Sequence, residues 1–264
     1  MQNKKNKYII SLKDVELTYK SRSAKVDAIK NINIDIKEGE FICILGPSGC
    51  GKSTLLKIIA GFISPSSGMA LVDGSKIEGA GYDRGVVFQQ PALYPWLNVE
   101  DNVRFGLKMR KIPNIETRKK VDFFLEKIGL EEFRQLKPYE LSGGMKQRVA
   151  IARVLSNDPK VLLMDEPFGA LDALTREQMQ NLLRRMWSEN KKTVLFITHD
   201  IDEALYLGTR VMVMSKRPGT IVKEFNIKFS KDIENKNLSD VKYDSEFKKL
   251  HRDILDLIMN KEGN

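Results

Sequence analysis

Alternating apolar and polar positions mark two strands near the start of the chain, at Tyr8 to Tyr19 and at Ile32 to Ile36. Such alternation is typical of antiparallel or edge strands with one face in water. By contrast, Phe41 to Leu45 is continuously apolar and leads directly into Gly46, which indicates a buried strand ending in a glycine loop. Lys52 to Ala60 then has the pattern of a helix. A strand, a glycine-rich turn and a helix in this order begin a parallel α/β unit.

Between Asn98 and Ser156 the pattern becomes helical. Asn98 is placed to cap a first helix, a second helix is expected near Glu116 to Ile128, and a third is expected after Ser142. This pattern predicts a helical subdomain, at about residues 98–157, inserted into the α/β core.

Strand patterns return at Lys160 to Met164 and at Thr193 to Thr198, and they predict a long amphipathic helix between them, from Ala173 to Asn190. Two more strands, Val211 to Met214 and Thr220 to Ile227, flank a Pro-Gly turn. A polar segment then leads to a last helix with apolar residues at helical spacing, which are Phe247, Leu250, Ile254, Leu257 and Ile258. The predicted organisation is a domain at residues 8–228, followed by a linker and an amphipathic helix at residues 229–264.

Composition supports a folded protein of 264 residues that needs neither disulfides nor structural zinc. The two cysteines, Cys43 and Cys50, form no CxxC pair, and they favour a reducing cytosol. The start of the chain is polar and basic, and no apolar run approaches the ~20 residues that span a bilayer. We therefore expect no signal peptide and no membrane-spanning helix.

The formal net charge of +9 is spread along the chain, with one basic concentration from Lys108 to Lys120. That segment is open to three interpretations: a solvated helix face, a surface near anionic lipid, or a phosphate-binding patch. The spread of the remaining charge gives no reason to expect a nucleic-acid partner.

The glycine loop carries the pattern GxxxxGK[ST] between the predicted strand and helix, which is the context that supports a phosphate-binding loop. Glycines let successive backbone N–H groups point at phosphate oxygens, and the helix N-terminus adds its positive dipole end. In such a loop the lysine reaches the β- and γ-phosphates and the serine hydroxyl ligates Mg²⁺. The residues concerned are Gly46, Pro47, Ser48, Gly49, Cys50, Gly51, Lys52, Ser53 and Thr54. Because Cys50 lies at the helix N-terminus, we expect its thiolate to be favoured, so that thiol reagents inactivate the protein and ATP protects it.

Two further strands end in residues that can act on a phosphate. The apolar strand at 161–164 ends at Asp165 and Glu166, where the first carboxylate can hold Mg²⁺ through water and the second can polarise an attacking water. The strand at 193–198 delivers His199 to the same edge, as a candidate γ-phosphate sensor. Carboxyl ends of parallel strands are where α/β sheets bind ligands.

The segment Leu141 to Arg148 reads LSGGMKQR. Ser142 is placed to cap a helix, but capping does not require the two glycines that follow, which weaken a helix start. A bare helix N-terminus with exposed N–H groups indicates a second anion site.

With these motifs the chain resembles the nucleotide-binding subunits of ATP-binding cassette (ABC) transporters over residues Ile9 to Phe225. The resemblance implies an α/β fold: a P-loop NTPase core of the ABC ATPase type with an antiparallel β-subdomain and an inserted helical subdomain. It implies that ATP and Mg²⁺ are the cofactors and that the catalytic residues are Lys52, Gln89, Glu166 and His199. Magnesium ligands are implied at Ser53, Gln89 and Asp165. Further ATP contacts are implied at Tyr19, Ser142, Gly143, Gly144, Gln147 and Asp172, beside the phosphate loop.

The resemblance also implies partners. Two chains pair head to tail, so that each ATP lies between one phosphate loop and the other chain's LSGG helix. A separate membrane permease places a coupling helix in a groove near Gln89 to Leu97, where Tyr94-Pro95-Trp96 exposes aromatic surface. A solute-binding protein acts indirectly, and the chain works at the cytoplasmic face of the cell membrane.

Three segments are similar to importer ATPases for nitrate, sulfonates and taurine. They are Pro95 to Val99, Phe168 to Arg176, and the turn Arg217-Pro218-Gly219. Importers of pyrimidine or thiamine precursors share these features, so an importer of that kind fits as well. The ATP-binding motifs would also suit an exporter subunit, or an ABC protein that acts on nucleic acid or the ribosome.

Overall fold

A computed structural model describes residues 8–20, 25–229 and 241–259. Its strands are β1 (Ile10–Lys20), β2 (Lys25–Ile36), β3 (Phe41–Leu45), β4 (Ser67–Val72), β5 (Ser75–Lys76), β6 (Arg84–Val87), β7 (Val161–Asp165), β8 (Thr193–Ile197), β9 (Arg210–Met214) and β10 (Ile221–Asn226). Its helices are α1 (Lys52–Ala60), α2 (Val99–Met109), α3 (Asn114–Lys127), α4 (Gly143–Ser156), α5 (Ala173–Asn190), α6 (Ile201–Leu207) and α7 (Ser245–Met259), with a 3₁₀ turn at Pro138–Glu140. The chain divides into two compact units, one at residues 82–183 and the other formed by the chain before and after it.

The first unit contains an antiparallel sheet in the order β2-β1-β4-β5. In β1, Ile10 and Leu12 are buried at alternate positions, and after a register irregularity between Leu12 and Val15 the buried positions resume at Val15 and Leu17. The alternation that the sequence pattern predicted is therefore present on each side of this irregularity. The predicted antiparallel β-subdomain is therefore confirmed.

The same unit also contains the strand that precedes the glycine loop. β3 is buried along its whole length and pairs in parallel with β8 and β9, while β10 runs antiparallel to β9. A strand buried on both faces needs apolar residues at every position, which explains its continuous hydrophobic run. The bounds of β3 and α1 match the sequence prediction.

The second unit contains the parallel pair β6 and β7 and the helices α2, α3 and α4. The Asn98 side chain accepts a 2.7 Å hydrogen bond from the Asp101 N–H, and Ser142 Oγ accepts one of 3.2 Å from Met145 N–H. Both predicted N-caps are therefore confirmed. The basic segment Lys108 to Lys120 spans the end of α2, a turn and part of α3, so it is not one helix face.

The pattern did not predict β4, β5, β6 or α6. The short lengths of β5, β6 and α6, and the three exposed residues that begin β4, explain why periodicity misses them. The last helix is confirmed as α7, which buries Phe247 and Ile254. The linker predicted before it lies largely outside the described residues. Within the described parts of the chain, the helices are all too short or too polar to span a bilayer.

Candidate functional site

The phosphate loop connects β3 to α1 in the first unit. Gly46, Gly49 and Gly51 have φ values of 157°, 72° and 105°. The last two lie in the left-handed region that favours glycine, which accounts for those glycines in the motif. Helix α1 has no side-chain cap at its N-terminus, so its first N–H groups remain available to an anion.

Lys52 is folded across this loop. Its Nζ atom donates hydrogen bonds of 2.7 Å to Gly46 O and 2.9 Å to Pro47 O, and the residue is only 7% exposed. A lysine held over the loop by backbone carbonyls keeps a positive charge where phosphate oxygens would bind. The half-buried Ser53 follows it in the first turn of α1.

Tyr19 and His199 belong to the same unit. Tyr19 is 46% exposed, and its hydroxyl lies 3.3 Å from Thr54 Oγ1, so an open aromatic ring stands beside the loop helix. His199 is exposed directly after β8, and the Thr198 N–H before it donates to Ile44 O of β3 at 3.3 Å. The structure therefore places His199 at the same carboxyl edge as the start of the phosphate loop.

Cys50 does not have the environment that its position in the sequence suggested. Its side chain is 1% exposed, and burial raises the pKa of the thiol above its ordinary value, although Lys52 acts in the opposite direction. The expectation that the helix N-terminus favours the thiolate is therefore wrong, because desolvation outweighs the nearby positive charge.

Because a raised pKa leaves less thiolate at pH 7.5, we expect iodoacetamide to label Cys50 at least about tenfold more slowly in the folded protein than in the guanidinium-unfolded protein. The rate should keep rising with pH beyond the ordinary thiol pKa. Mass spectrometry separates Cys50 from Cys43, which is also buried and has a raised pKa. Equal labelling of Cys50 in the folded and unfolded protein would contradict this interpretation.

The second unit brings two of the predicted residues into contact. Gln89 follows β6, and Asp165 and Glu166 end β7 and follow it. Because β6 and β7 are parallel, with Val87 opposite Met164, their carboxyl ends share one edge. The Gln89 Nε2 atom donates a 3.0 Å hydrogen bond to Glu166 Oε2. An amide and a carboxylate are thus paired directly after the two strands.

The start of α4 is open. Ser142 and Gly143 are exposed, and a Cβ atom added at Gly143 would meet no other heavy atom of the described residues within 4 Å. At Gly144 the nearest atom would be Leu171 Cδ2, at an ordinary contact distance of 3.4 Å. Packing among the described residues therefore does not require glycine at position 143.

Gln147, one turn further along α4, is fully buried rather than presented at this surface. Its Nε2 atom donates a 3.1 Å hydrogen bond to Phe88 O, the residue before Gln89. The side chain therefore joins the α4 helix to the segment after β6. The helical spacing of the apolar residues in α4 places position 147 on the buried face of the helix. This spacing could have identified Gln147 as buried, despite its place in the LSGGMKQR motif.

Asp172 is exposed just before α5. Its Oδ1 atom accepts a 3.0 Å hydrogen bond from Thr175 N–H, and hydrogen bonds from Thr175 lower the pKa of the carboxyl below its ordinary value. The side chain therefore caps the helix and stays ionised, which suits a helix N-terminus.

Together, a phosphate loop at the head of a helix and a buried strand ending in two carboxylates define the class of P-loop nucleotide hydrolases. A sequence model of the ABC transporter family matches residues 29–169. The taurine import ATP-binding protein TauB of Roseobacter denitrificans is 49% identical over 237 residues, covering 90% of this chain and 88% of the relative. The nitrate import ATP-binding protein NrtD of Synechocystis sp. is 46% identical over 255 residues, covering 96% of each.

Solved structures that match this chain are also ABC transporter cassettes. The dimeric bacterial ABC transporter cassette MJ0796 matches with a TM-score of 0.77 and 40% identity, over 83% of this chain and 99% of that chain. The same cassette in a post-hydrolysis state, a dimer bound to ADP and Pi, matches with a TM-score of 0.76 and 39% identity over the same shares. The chain belongs to the ABC transporter family, and it is an ATPase.

Proposed function

We propose that the chain is the energy-coupling ATPase of an importer for a small anionic or zwitterionic solute of the taurine or nitrate type. It works as a dimer on a separate membrane permease at the cytoplasmic face of the membrane, and a solute-binding protein delivers the solute to that permease. Relatives named for taurine and nitrate import, each matched over most of both chains, support this assignment.

The proposed ATP site starts from the phosphate loop. Lys52 and the loop amides hold the β- and γ-phosphates, and the exposed ring of Tyr19 stacks on the adenine. Ser53, Gln89 and Asp165 supply hard oxygen donors, which is the chemistry that Mg²⁺ requires together with phosphate oxygens. Bound Mg²⁺ would neutralise charge on the phosphates.

For hydrolysis, we assign Glu166 the role of polarising the attacking water. The pairing of Gln89 with Glu166 at 3.0 Å supports a shared role for these two side chains, one orienting the other. His199, exposed at the end of β8, acts as the sensor of the γ-phosphate.

The proposal of a dimer rests on the open start of the α4 helix at Ser142 and Gly143. Packing among the described residues does not require glycine at this position, and the absence of a side chain leaves the backbone at the helix start accessible to a group from outside. In the proposed dimer these donors contact the γ-phosphate of ATP held by the partner's phosphate loop. Hydrolysis then depends on assembly, because only the closed pair completes the site.

The permease surface lies in the second unit. Trp96 is 66% exposed, whereas Tyr94 packs on Phe105 with ring centroids 4.4 Å apart, so only part of the aromatic cluster is available to a partner. Beside it, the α2 and α3 helices line a cavity of about 900 Å³ that includes Leu97 and Phe105. The lining of this groove is partly apolar and partly charged, so with the exposed tryptophan beside it the groove suits a short amphipathic partner helix.

We test the function with Gly143→Arg. Because the Cβ position at Gly143 is open among the described residues, we expect the unfolding temperature to stay close to that of wild type and the ATP affinity to stay within about twofold of it. ATPase activity should fall about 100-fold, because the arginine side chain blocks access to the backbone N–H donors, which themselves remain. Steady-state phosphate release and calorimetric titration measure the two effects.

Gln178→Arg, which adds the same side chain at an exposed position of α5, is the control and should retain full activity. If Gly143→Arg keeps wild-type activity, the dimeric site is wrong. The solute is tested separately, by uptake of labelled taurine and nitrate in cells that contain the whole transporter and lack other systems.

A further inference from the structure

The turn between β9 and β10 is closed by its own hydrogen bonds. Ser215 N–H donates to Thr220 O at 2.9 Å, and Ser215 Oγ accepts from Thr220 N–H at 3.0 Å. Its chain ends are therefore held together, and the residues between them have a defined position.

This turn lies against the outside of the phosphate loop. A Cβ atom added at Gly219 would lie 2.0 Å from Cys50 O, and one added at Gly46 would lie 2.9 Å from Met214 O. Gly219 also donates from its N–H to Ala28 O at 3.0 Å. The contact is one of backbone against backbone, with no room for a side chain between them.

Arg217 reaches from the turn to the middle of the loop. Its Nε and Nη2 atoms donate hydrogen bonds of 3.2 Å and 3.1 Å to one acceptor, Gly49 O. In a planar trans peptide the carbonyl and the following N–H point in opposite directions. Fixing Gly49 O towards Arg217 therefore directs the Cys50 N–H into the loop, where Pro47 O now accepts it at 3.4 Å.

Pro47 O also accepts the 2.9 Å hydrogen bond from Lys52 Nζ, so the Cys50 amide and the lysine converge on one oxygen inside the loop. A phosphate oxygen that replaces this carbonyl oxygen as the acceptor would accept hydrogen bonds from both donors. Their orientation is preset before any ligand arrives, which reduces the cost of binding.

We propose that Arg217 is a positioning residue for the phosphate loop, holding the Gly49 carbonyl so that the Cys50 amide faces the phosphates. This inference rests on the proposed function, in which the loop binds ATP. The competing explanation is that Arg217 acts only through its positive charge, which would attract any polyphosphate without orienting the loop.

The test compares Arg217→Met and Arg217→Lys with wild type by calorimetric titration of ATP and of ADP. Methionine removes both donors, and we expect the Kd for each nucleotide to rise about tenfold, as loss of one charge-assisted hydrogen bond predicts. ATP and ADP should be affected alike, because the amide serves phosphates that both contain. The KM for ATP should rise in parallel, with kcat within about twofold of wild type.

Lysine keeps the charge but lacks the planar fork, so Arg217→Lys should recover less than half of the lost binding free energy. Lys223→Met removes an exposed charge from β10 of the same hairpin and is the matched control, with wild-type affinity expected. In Gly219→Ala, the added methyl group would overlap Cys50 O and displace the phosphate loop. Because Arg217→Met acts on the same loop, the effects of the two substitutions on Kd should be less than additive in the double variant.

Circular dichroism and thermal unfolding establish that each variant is folded. Wild-type affinity in folded Arg217→Met, or full recovery by Arg217→Lys, overturns the proposal for Arg217 while leaving the ATPase assignment intact. Failure of the wild-type protein to bind ATP in the same titration overturns both.

Discussion

Replacing Glu166 with Gln will leave ATP binding intact and slow hydrolysis at least about 100-fold, as expected for loss of a general base. The substitution is nearly isosteric, and its Oε1 atom can still accept the 3.0 Å hydrogen bond that Gln89 now donates to the carboxylate. What disappears is the basicity needed to polarise water. With hydrolysis blocked, the ATP-bound dimer should accumulate, and size-exclusion chromatography with light scattering will detect it.

Glu132→Gln, at an exposed carboxylate in the same unit, is the matched control and should hydrolyse ATP at the wild-type rate. If Glu166→Gln turns over ATP normally, the role assigned to this carboxylate is wrong. If it is inactive but stays monomeric with MgATP, the head-to-tail dimer is wrong instead.

Replacing Lys52 with Ala will weaken ATP binding about 100-fold or more, since two or more charge-assisted hydrogen bonds to phosphate are lost. The effect has a second source in the loop itself. Without Nζ, the carbonyls of Gly46 and Pro47 lose the donor that now holds them, so the loop is also less ordered. Calorimetric titration with ATP measures the loss of affinity.

Lys57→Ala is the appropriate control, because Lys57 lies on the same helix but is exposed, and its removal should leave the Kd unchanged. Comparable unfolding temperatures for the two variants would show that the difference in ATP affinity arises at the phosphate loop and not from a loss of folding. Wild-type affinity in Lys52→Ala would show that the loop does not hold the phosphates through this lysine.

Elements with a strong local pattern could be predicted from the sequence. The buried strand β3, the helix α1 after it and the long helix α5 have the predicted bounds, because a continuous apolar run and a helical period depend on few neighbours. The caps at Asn98 and Ser142 were predictable for the same reason, since a cap involves residues three positions apart. The strand β6, with four residues, offers no such signal.

The chemistry of individual side chains was less predictable. Cys50 lies at a helix N-terminus in sequence, yet burial decides its protonation. Gln147 lies within a motif in sequence, yet its side chain is buried and bonded to Phe88 O. Both outcomes depend on packing by residues distant in the chain, which no local pattern contains.

By itself, the sequence determined that this chain has a phosphate loop, a strand ending in two carboxylates and a helix that begins with two glycines. Each of these is a short stretch in which the types and spacing of neighbouring residues define the chemistry. Only the tertiary structure decided that Arg217 reaches Gly49, 168 positions earlier, and that Gln89 pairs with Glu166. Hydrogen bonds are effective over about 3 Å, so partners so far apart in the chain are chosen by the path of the folded backbone.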